Sequence, residues 1–99
     1  MGFFSNLFKM TSVEELKEKI ANGGLLLDVR TKGEFAGGHA KGAKNIPLDQ
    51  LSGSLSKLDR TKPIVAVCAS GMRSGSAVGL LKNNGFTEVY NGGSWTKFM

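Results

Sequence analysis

The sequence predicts an α/β domain built on a parallel sheet. Two near-continuous apolar runs, Leu25-Leu26-Leu27-Asp28-Val29 and Pro63-Ile64-Val65-Ala66-Val67, read as strands covered on both faces. Segments with helical spacing of apolar residues lie between and around them, so strands and helices alternate along the chain. That alternation implies parallel strands joined by right-handed crossovers.

Each element has a local cause. Met10-Thr11 reads as a short edge strand. Ser12 with Glu15 forms a capping box that opens a helix, and Val13, Leu16 and Ile20 make its buried stripe. Asn22-Gly23-Gly24 stops that helix, because Gly takes the left-handed cap position without steric cost. The apolar run at 25–29 follows. Thr31 with Glu34 is a second capping box, opening a short helix that Gly37-Gly38 ends. Residues 43–47 read as a third strand, closed by Pro47, which lacks a backbone donor. Leu48, Leu51, Leu55 and Leu58 repeat at helical spacing, but Ser52-Gly53-Ser54 interrupts them, so two short helices or one irregular helix are expected.

After the strand at 63–67 and a polar loop, Ala77, Val78, Leu80 and Leu81 form the buried face of a helix starting near Ser76. Asn83-Asn84-Gly85 ends it. Glu88-Val89-Tyr90-Asn91 is the last strand, turned by Gly92-Gly93. Ser94 then caps a final turn that brings Trp95 and Phe98 onto the body. At the other end, Phe3, Phe4, Leu7 and Phe8 fall on one side of a short helix, and residues 1–9 are read as an extension to a domain over 10–99.

The balance of 13 basic against 8 acidic residues gives a net charge of +5. The basic residues are scattered, with no stripe interleaved with aromatics, so a nucleic-acid partner is not expected. A small anionic substrate is the more economical use of the positive field. The single cysteine excludes an internal disulfide and any multi-cysteine metal cluster. No apolar stretch approaches a membrane span. The first ten residues lack the pattern of a signal peptide, and Asn6 replaces the Ser or Thr of a myristoylation site. The expected location is cytoplasmic.

The cysteine stands where the second apolar run ends, in Cys68-Ala69-Ser70-Gly71-Met72-Arg73-Ser74, just before a helix. Ligands of open α/β sheets bind outside the carboxyl ends of strands. A helix N-terminus or a nearby Arg lowers the pKa of a thiol, and the thiolate is its reactive form. Successive N–H groups in a tight turn form an anion-binding concavity. Gly71 permits the backbone angles of such a turn. Arg73 adds a planar fork suited to an oxyanion. A free cysteine is otherwise usually a small buried hydrophobe; the polar Ser70, Arg73 and Ser74 argue against that role here.

Four patches resemble a known family, the single-domain rhodaneses. Leu27-Asp28-Val29-Arg30 with Glu34-Phe35 is similar to the family's "DVR…E(F/Y)" segment. Residues 38–47, from Gly38-His39-Ala40 to Asn45-Ile46-Pro47, resemble its "GHIxGAxNIP" signature, with Ala40 where a larger apolar residue is commoner. Cys68 to Ser74 resembles its "CxxGxRS" loop, and Val89-Tyr90-Asn91-Gly92-Gly93 with Trp95 its closing "GG…W". The patches keep the family's order and cover nearly all of the chain from Met10 onward.

The resemblance implies a five-stranded parallel sheet with helices on both faces, and sulfurtransferase activity. Cys68 would take the outer sulfur of a donor such as thiosulfate, forming a persulfide. It would then pass that sulfur to cyanide, a small thiol or a protein thiol. Backbone N–H groups from Ala69, Ser70, Gly71, Met72, Arg73 and Ser74 would hold the terminal sulfur, and Arg73 the donor's oxyanion end. No metal or organic cofactor is required. Asp28 and Arg30 would support the loop from behind, with Arg30 expected to pair with Glu34. His39 is expected to be a hydrogen-bonded structural residue. Two other readings remain open: a non-catalytic sulfur-carrier or regulatory module of the same fold, and a dual-specificity phosphatase. Such phosphatases use a C-x5-R loop; here Cys68 to Arg73 is one residue shorter.

Overall fold

Side-chain capping sets the first elements. In the computed structural model, which describes residues 11–99, Ser12 Oγ accepts from the Glu15 N–H at 3.1 Å. Glu15 Oε1 accepts from the Ser12 N–H at 2.9 Å. This box starts helix α1 (Val13–Ala21), which buries Leu16. Strand β1 (Leu25–Asp28) follows. Thr31 and Glu34 form the second box, opening α2 (Lys32–Ala36). Next come β2 (Lys44–Asn45), α3 (Leu48–Leu51) and a 3-10 segment over Ser52–Lys57. Then follow β3 (Ile64–Cys68), α4 (Met72–Asn83), β4 (Val89–Ser94) and a closing 3-10 turn, Trp95–Phe98, capped by Ser94.

The described residues form one sheet in the order β2-β1-β3-β4, with every pair parallel. Strand side chains alternate between two faces, and two apolar cores follow from that. Leu27, Ile64, Ala66, Cys68 and Val89 pack with Leu51, Ala77 and Leu81 on the side of α3 and α4. Leu26, Val65 and Val67 pack with Leu16, Ala40 and Phe98 on the side of α1 and the closing turn. Helices therefore cover both faces, as expected for strands so continuously apolar. Among the described residues, no helix is long and apolar enough to cross a membrane.

Four expectations need correction. Among the described residues the sheet has four strands, not five. Of the expected edge strand, Met10 lies outside the described residues, and Thr11 belongs to no strand. The capping box engages the Ser12 N–H, so the segment feeds a helix rather than a ladder. The N-terminal extension and its Phe-rich face also lie outside the described residues. Helix α4 begins at Met72, four residues earlier than its apolar face suggests, because Gly71 at φ +108° turns the chain at once. Finally, β4 runs through Gly92-Gly93 instead of ending there. Ala66 pairs with Asn91 but Val67 pairs with Gly93, so Gly92 is the extra residue of a bulge.

The bulge explains the glycine. A Cβ on Gly92 would lie 2.9 Å from Cγ1 of both Val65 and Val67, and 3.0 Å from Cε1 of Phe98. All three neighbours belong to packed core side chains, which cannot yield freely. Gly92→Ala is therefore expected to destabilise the fold by about 1–3 kcal/mol, the range for overpacking. A urea titration measures this, and an unchanged midpoint would contradict it.

Candidate functional site

Strand order places the site. The connection leaving β1 runs to β2 on one side, and the connection leaving β3 runs to β4 on the other. The loops after β1 and β3 therefore diverge at their carboxyl ends, the usual location of a ligand crevice in an open α/β sheet. Cys68 ends β3 at this point, and Asp28 ends β1 beside it.

The loop after β3 folds back onto its own cysteine. Gly71 N–H donates to Cys68 Sγ at 3.0 Å and Ser74 N–H at 3.4 Å. Ser74 Oγ lies 3.5 Å from the same sulfur. Cys68 is 1% exposed and Ser74 fully buried, whereas Ala69, Ser70 and Met72 face solvent. Burial pushes the Cys68 thiol up. The Ser74 hydroxyl and the N–H groups of Ser74, Gly71 and Ser70 more than reverse that, and bring it down to about 7. The helix N-terminus expected to activate the thiol thus acts through specific N–H groups, Ser74 being the third residue of α4.

Arg73 is arranged differently from the sequence expectation. Its Nη1 and Nη2 donate to Glu34 Oε1 and Oε2 at 2.7 and 3.0 Å, a bidentate pair linking α4 to α2. The Arg73 hydrogen bond, then the Thr31 N–H, hold the Glu34 carboxyl down at about 2. Both side chains are partly open to solvent, at 36% and 38%.

Arg30 does not pair with the Glu34 carboxylate, as expected; it turns back to Asp28. Its Nε and Nη2 meet Asp28 Oδ1 and Oδ2 at 3.0 and 2.8 Å, and its own N–H donates to Oδ1 at 3.0 Å. The physical reason is burial. Asp28 is fully buried and needs full compensation, whereas Glu34 lies at the surface within reach of Thr31 and Arg73. Arg30 also donates to the carbonyls of Glu34 and Gly38, and stacks 4.3 Å from the Trp95 ring centroid. The Asp28–Arg30 pair thereby holds the loop that presents Glu34. His39 is hydrogen-bonded as expected: Nδ1 lies 2.8 Å from the Phe35 carbonyl, and its ring stacks on Phe35.

Asn91 was missed by the sequence reading. Its Nδ2 donates to the Gly71 carbonyl at 3.0 Å, and its Oδ1 accepts from Ser74 Oγ at 2.6 Å and Gly93 N–H at 2.9 Å. It thus ties the cysteine loop to β4. The one available signal was its place just before a Gly-Gly pair. Beside Arg73 lies an open depression of about 300 Å³ walled by Val29, Pro47 and Leu48. Among the described residues, no group of three or more His, Cys, Asp or Glu is placed to hold a metal ion.

Known proteins resemble this chain over most of its described residues. A family model described as "Rhodanese-like domain" matches residues 12–99. A Bacillus subtilis protein, "Uncharacterized protein YqhL", is 47% identical over 66 residues, which is 67% of this chain; the match covers 52% of that protein's length. "Thiosulfate sulfurtransferase GlpE" of Ectopseudomonas mendocina is 32% identical over 85% of this chain and 77% of its own. The crystal structure of a rhodanese-like domain protein from Staphylococcus aureus superposes with a TM-score of 0.74 at 32% identity, covering 87% of this chain and 85% of that one.

The ionisation of Cys68 is directly measurable. Its folded-state pKa is depressed, so the thiolate dominates above about pH 7 and is lost below it. Alkylation by a small electrophile is expected to rise with pH and level off above an inflection near 7. An inflection at the free-thiol value of about 8.5 would show that the loop does not activate the sulfur.

Proposed function

The chain belongs to the rhodanese-like domain family, and we propose that it is a sulfurtransferase working through a Cys68 persulfide. The observation that carries this reading is a lone cysteine at the sheet's carboxyl edge whose sulfur receives N–H groups from its own loop. In the first half-reaction the Cys68 thiolate attacks the outer sulfur of an anionic donor such as thiosulfate. A bond forms between Sγ and that sulfur, the donor's S–S bond breaks, and the electron pair leaves with sulfite. In the second half-reaction an acceptor, cyanide or a small or protein thiol, attacks the outer sulfur and releases Cys68 as thiolate. Division into two displacements is the usual advantage of covalent catalysis. The chemistry needs no metal or organic cofactor, and a reducing cytoplasm would suit its free thiol.

Several features support this class over phosphoryl transfer. Cys68 is almost fully buried, so only a small reacting group reaches it, and a terminal sulfur is one atom. The loop between Cys68 and Arg73 is tight enough that its N–H groups already touch Sγ. A phosphoryl group would need them farther out, around three oxygens. Ala69, Met72 and Arg73 contribute backbone to the same turn, and their N–H groups are the remaining candidates for the outer sulfur. Arg73 is oriented by Glu34, which leaves its free guanidinium edge for the donor's oxyanion end. The depression beside it would take the rest of donor or acceptor.

The direct test is mass spectrometry after incubation with thiosulfate and no acceptor. Cys68 is expected to gain the mass of one sulfur atom, and cyanide to remove it as thiocyanate. Cys68→Ser is expected to abolish both. Wild-type thiocyanate production by that variant, or efficient aryl phosphate hydrolysis without sulfur uptake, would overturn the proposal.

A second test concerns Arg73. Its ion pair is partly exposed, so Arg73→Ala is expected to weaken thiosulfate use by roughly 1 kcal/mol, about fivefold in kcat/KM. The loss should be smaller with a donor lacking the oxyanion end. Equal losses with both donors would assign Arg73 to holding the loop alone.

A further inference from the structure

The Ser74 hydroxyl carries one proton and has two claimants. Asn91 Oδ1 lies 2.6 Å from Ser74 Oγ, and Cys68 Sγ lies 3.5 Å from it. The orientation of the Asn91 amide is settled by two backbone groups with one role each. The Gly71 carbonyl can only accept, so it faces Nδ2; the Gly93 N–H can only donate, so it faces Oδ1. Oδ1 is therefore an acceptor, and Ser74 donates to it. Asn91 itself reaches the surface, but Ser74 is fully buried, so bulk water does not compete for the hydroxyl proton.

We propose that Asn91 is a positioning residue that, through the single Ser74 proton, favours the thiol and persulfide forms of Cys68 over its free thiolate. In the thiol form, the S–H donates to Ser74 Oγ and the Ser74 O–H donates to Asn91 Oδ1. Ionisation sends the S–H proton to solvent and leaves an anion at Sγ. The Ser74 O–H must then turn from Oδ1 to Sγ, and Oδ1 keeps only the Gly93 N–H. When Sγ bonds the donor's outer sulfur, and the donor's S–S electron pair departs with its leaving group, the charge moves to the outer sulfur. Sγ becomes a neutral, disulfide-like atom, and the Ser74 O–H returns to Asn91. Asn91 is thus fully bonded before and after the displacement and underbonded between. A thiolate that must compete for its donor is more basic, and nucleophilicity rises with basicity. The persulfide half of this inference rests on the sulfur-transfer reading above; the ionisation half rests on geometry alone.

Other charges face the sulfur too. Arg73 on α4 interacts with it electrostatically and is itself tied to Glu34 and influenced by Asp28. The Asp28–Arg30 pair closes β1, and Lys97 Nζ stands 3.4 Å from where a Gly93 Cβ would be. These charged groups are present in every variant below, so the comparison with and without the Ser74 hydroxyl reports the Asn91 acceptor.

The test is alkylation of Cys68 against pH in the whole chain, with no sulfur donor present. It therefore reads ionisation whether or not the protein transfers sulfur. Asn91→Leu fills a similar space and removes both the acceptor and the donor to the Gly71 carbonyl. The inflection is expected to fall by about half a unit to one unit, with the limiting rate at high pH falling about twofold. Asn91→Asp keeps an acceptor and adds charge, so the inflection is expected to rise. In a Ser74→Ala background, Asn91→Leu is expected to leave the inflection where Ser74→Ala alone puts it. An inflection unmoved by Asn91→Leu, or moved equally with and without the Ser74 hydroxyl, would overturn the proposal and leave Asn91 as a tie to the Gly71 carbonyl. A fall with Asn91→Asp would overturn it independently.

Discussion

The site depends on how quickly the chain turns from strand to helix after Cys68. Only Ala69, Ser70 and Gly71 separate the last residue of β3 from the first of α4. So short a reversal needs a left-handed residue, and Gly71 at φ +108° is that residue. The same turn aims N–H groups of the loop and first helical turn back at Sγ. A longer loop would free those donors to surround something larger. Cysteine and cradle are therefore one structural unit, and the conformation at Gly71 holds both.

Two supports keep that unit in place. From β4, Asn91 stands opposite Ala66, on the face that carries Cys68, where its amide reaches the Gly71 carbonyl. From β1, the buried Asp28–Arg30 pair pins the loop carrying Glu34, and Glu34 holds Arg73. Asp28 is fully buried. Its carboxylate is engaged by Arg30, and its influence on the cysteine passes through two further residues. A buried pair of this kind is weak evidence for stability. What it fixes here is the chain after β1, through the Arg30 bonds to the Glu34 and Gly38 carbonyls.

Much of this was legible in the sequence where a local pattern has a local cause. The capping boxes at Ser12 and Thr31, the stop at Asn22-Gly23-Gly24 and the broken helix after Leu48 all follow from residues within one turn of each other. So does the cysteine's place at a strand end. What escaped depends on contacts between distant segments. Arg30 lies at helical spacing from Glu34, and pairing them was reasonable locally; the buried carboxylate of Asp28 is the stronger claimant only once the strand is covered. Arg73 reads as a free cation because Glu34 is thirty-nine residues away in sequence. Gly92-Gly93 reads as a turn because a bulge and a turn use the same residue type. Asn91 carried no signal beyond its place before a Gly-Gly pair: its role exists only when β4 lies beside β3.

The resulting sulfur sits near neutrality by opposition rather than by a single strong effect. Burial alone would hold Cys68 protonated and inert. The N–H groups alone would draw it toward a stable, weakly nucleophilic thiolate. Together they place it at about 7, and an attacking thiol is fastest when its pKa lies near the surrounding pH. The two effects also come from the same atoms. The loop that shields Sγ from water is the loop that donates to it, so loosening the turn would cost activation and restore hydration at once. For the proposed sulfur transfer this coupling would have a direct use. The outer atom of a persulfide is the one that must be reached by an acceptor, while the inner one is best kept dry. A cysteine buried to within one per cent, at the carboxyl edge of the sheet, would suit both requirements.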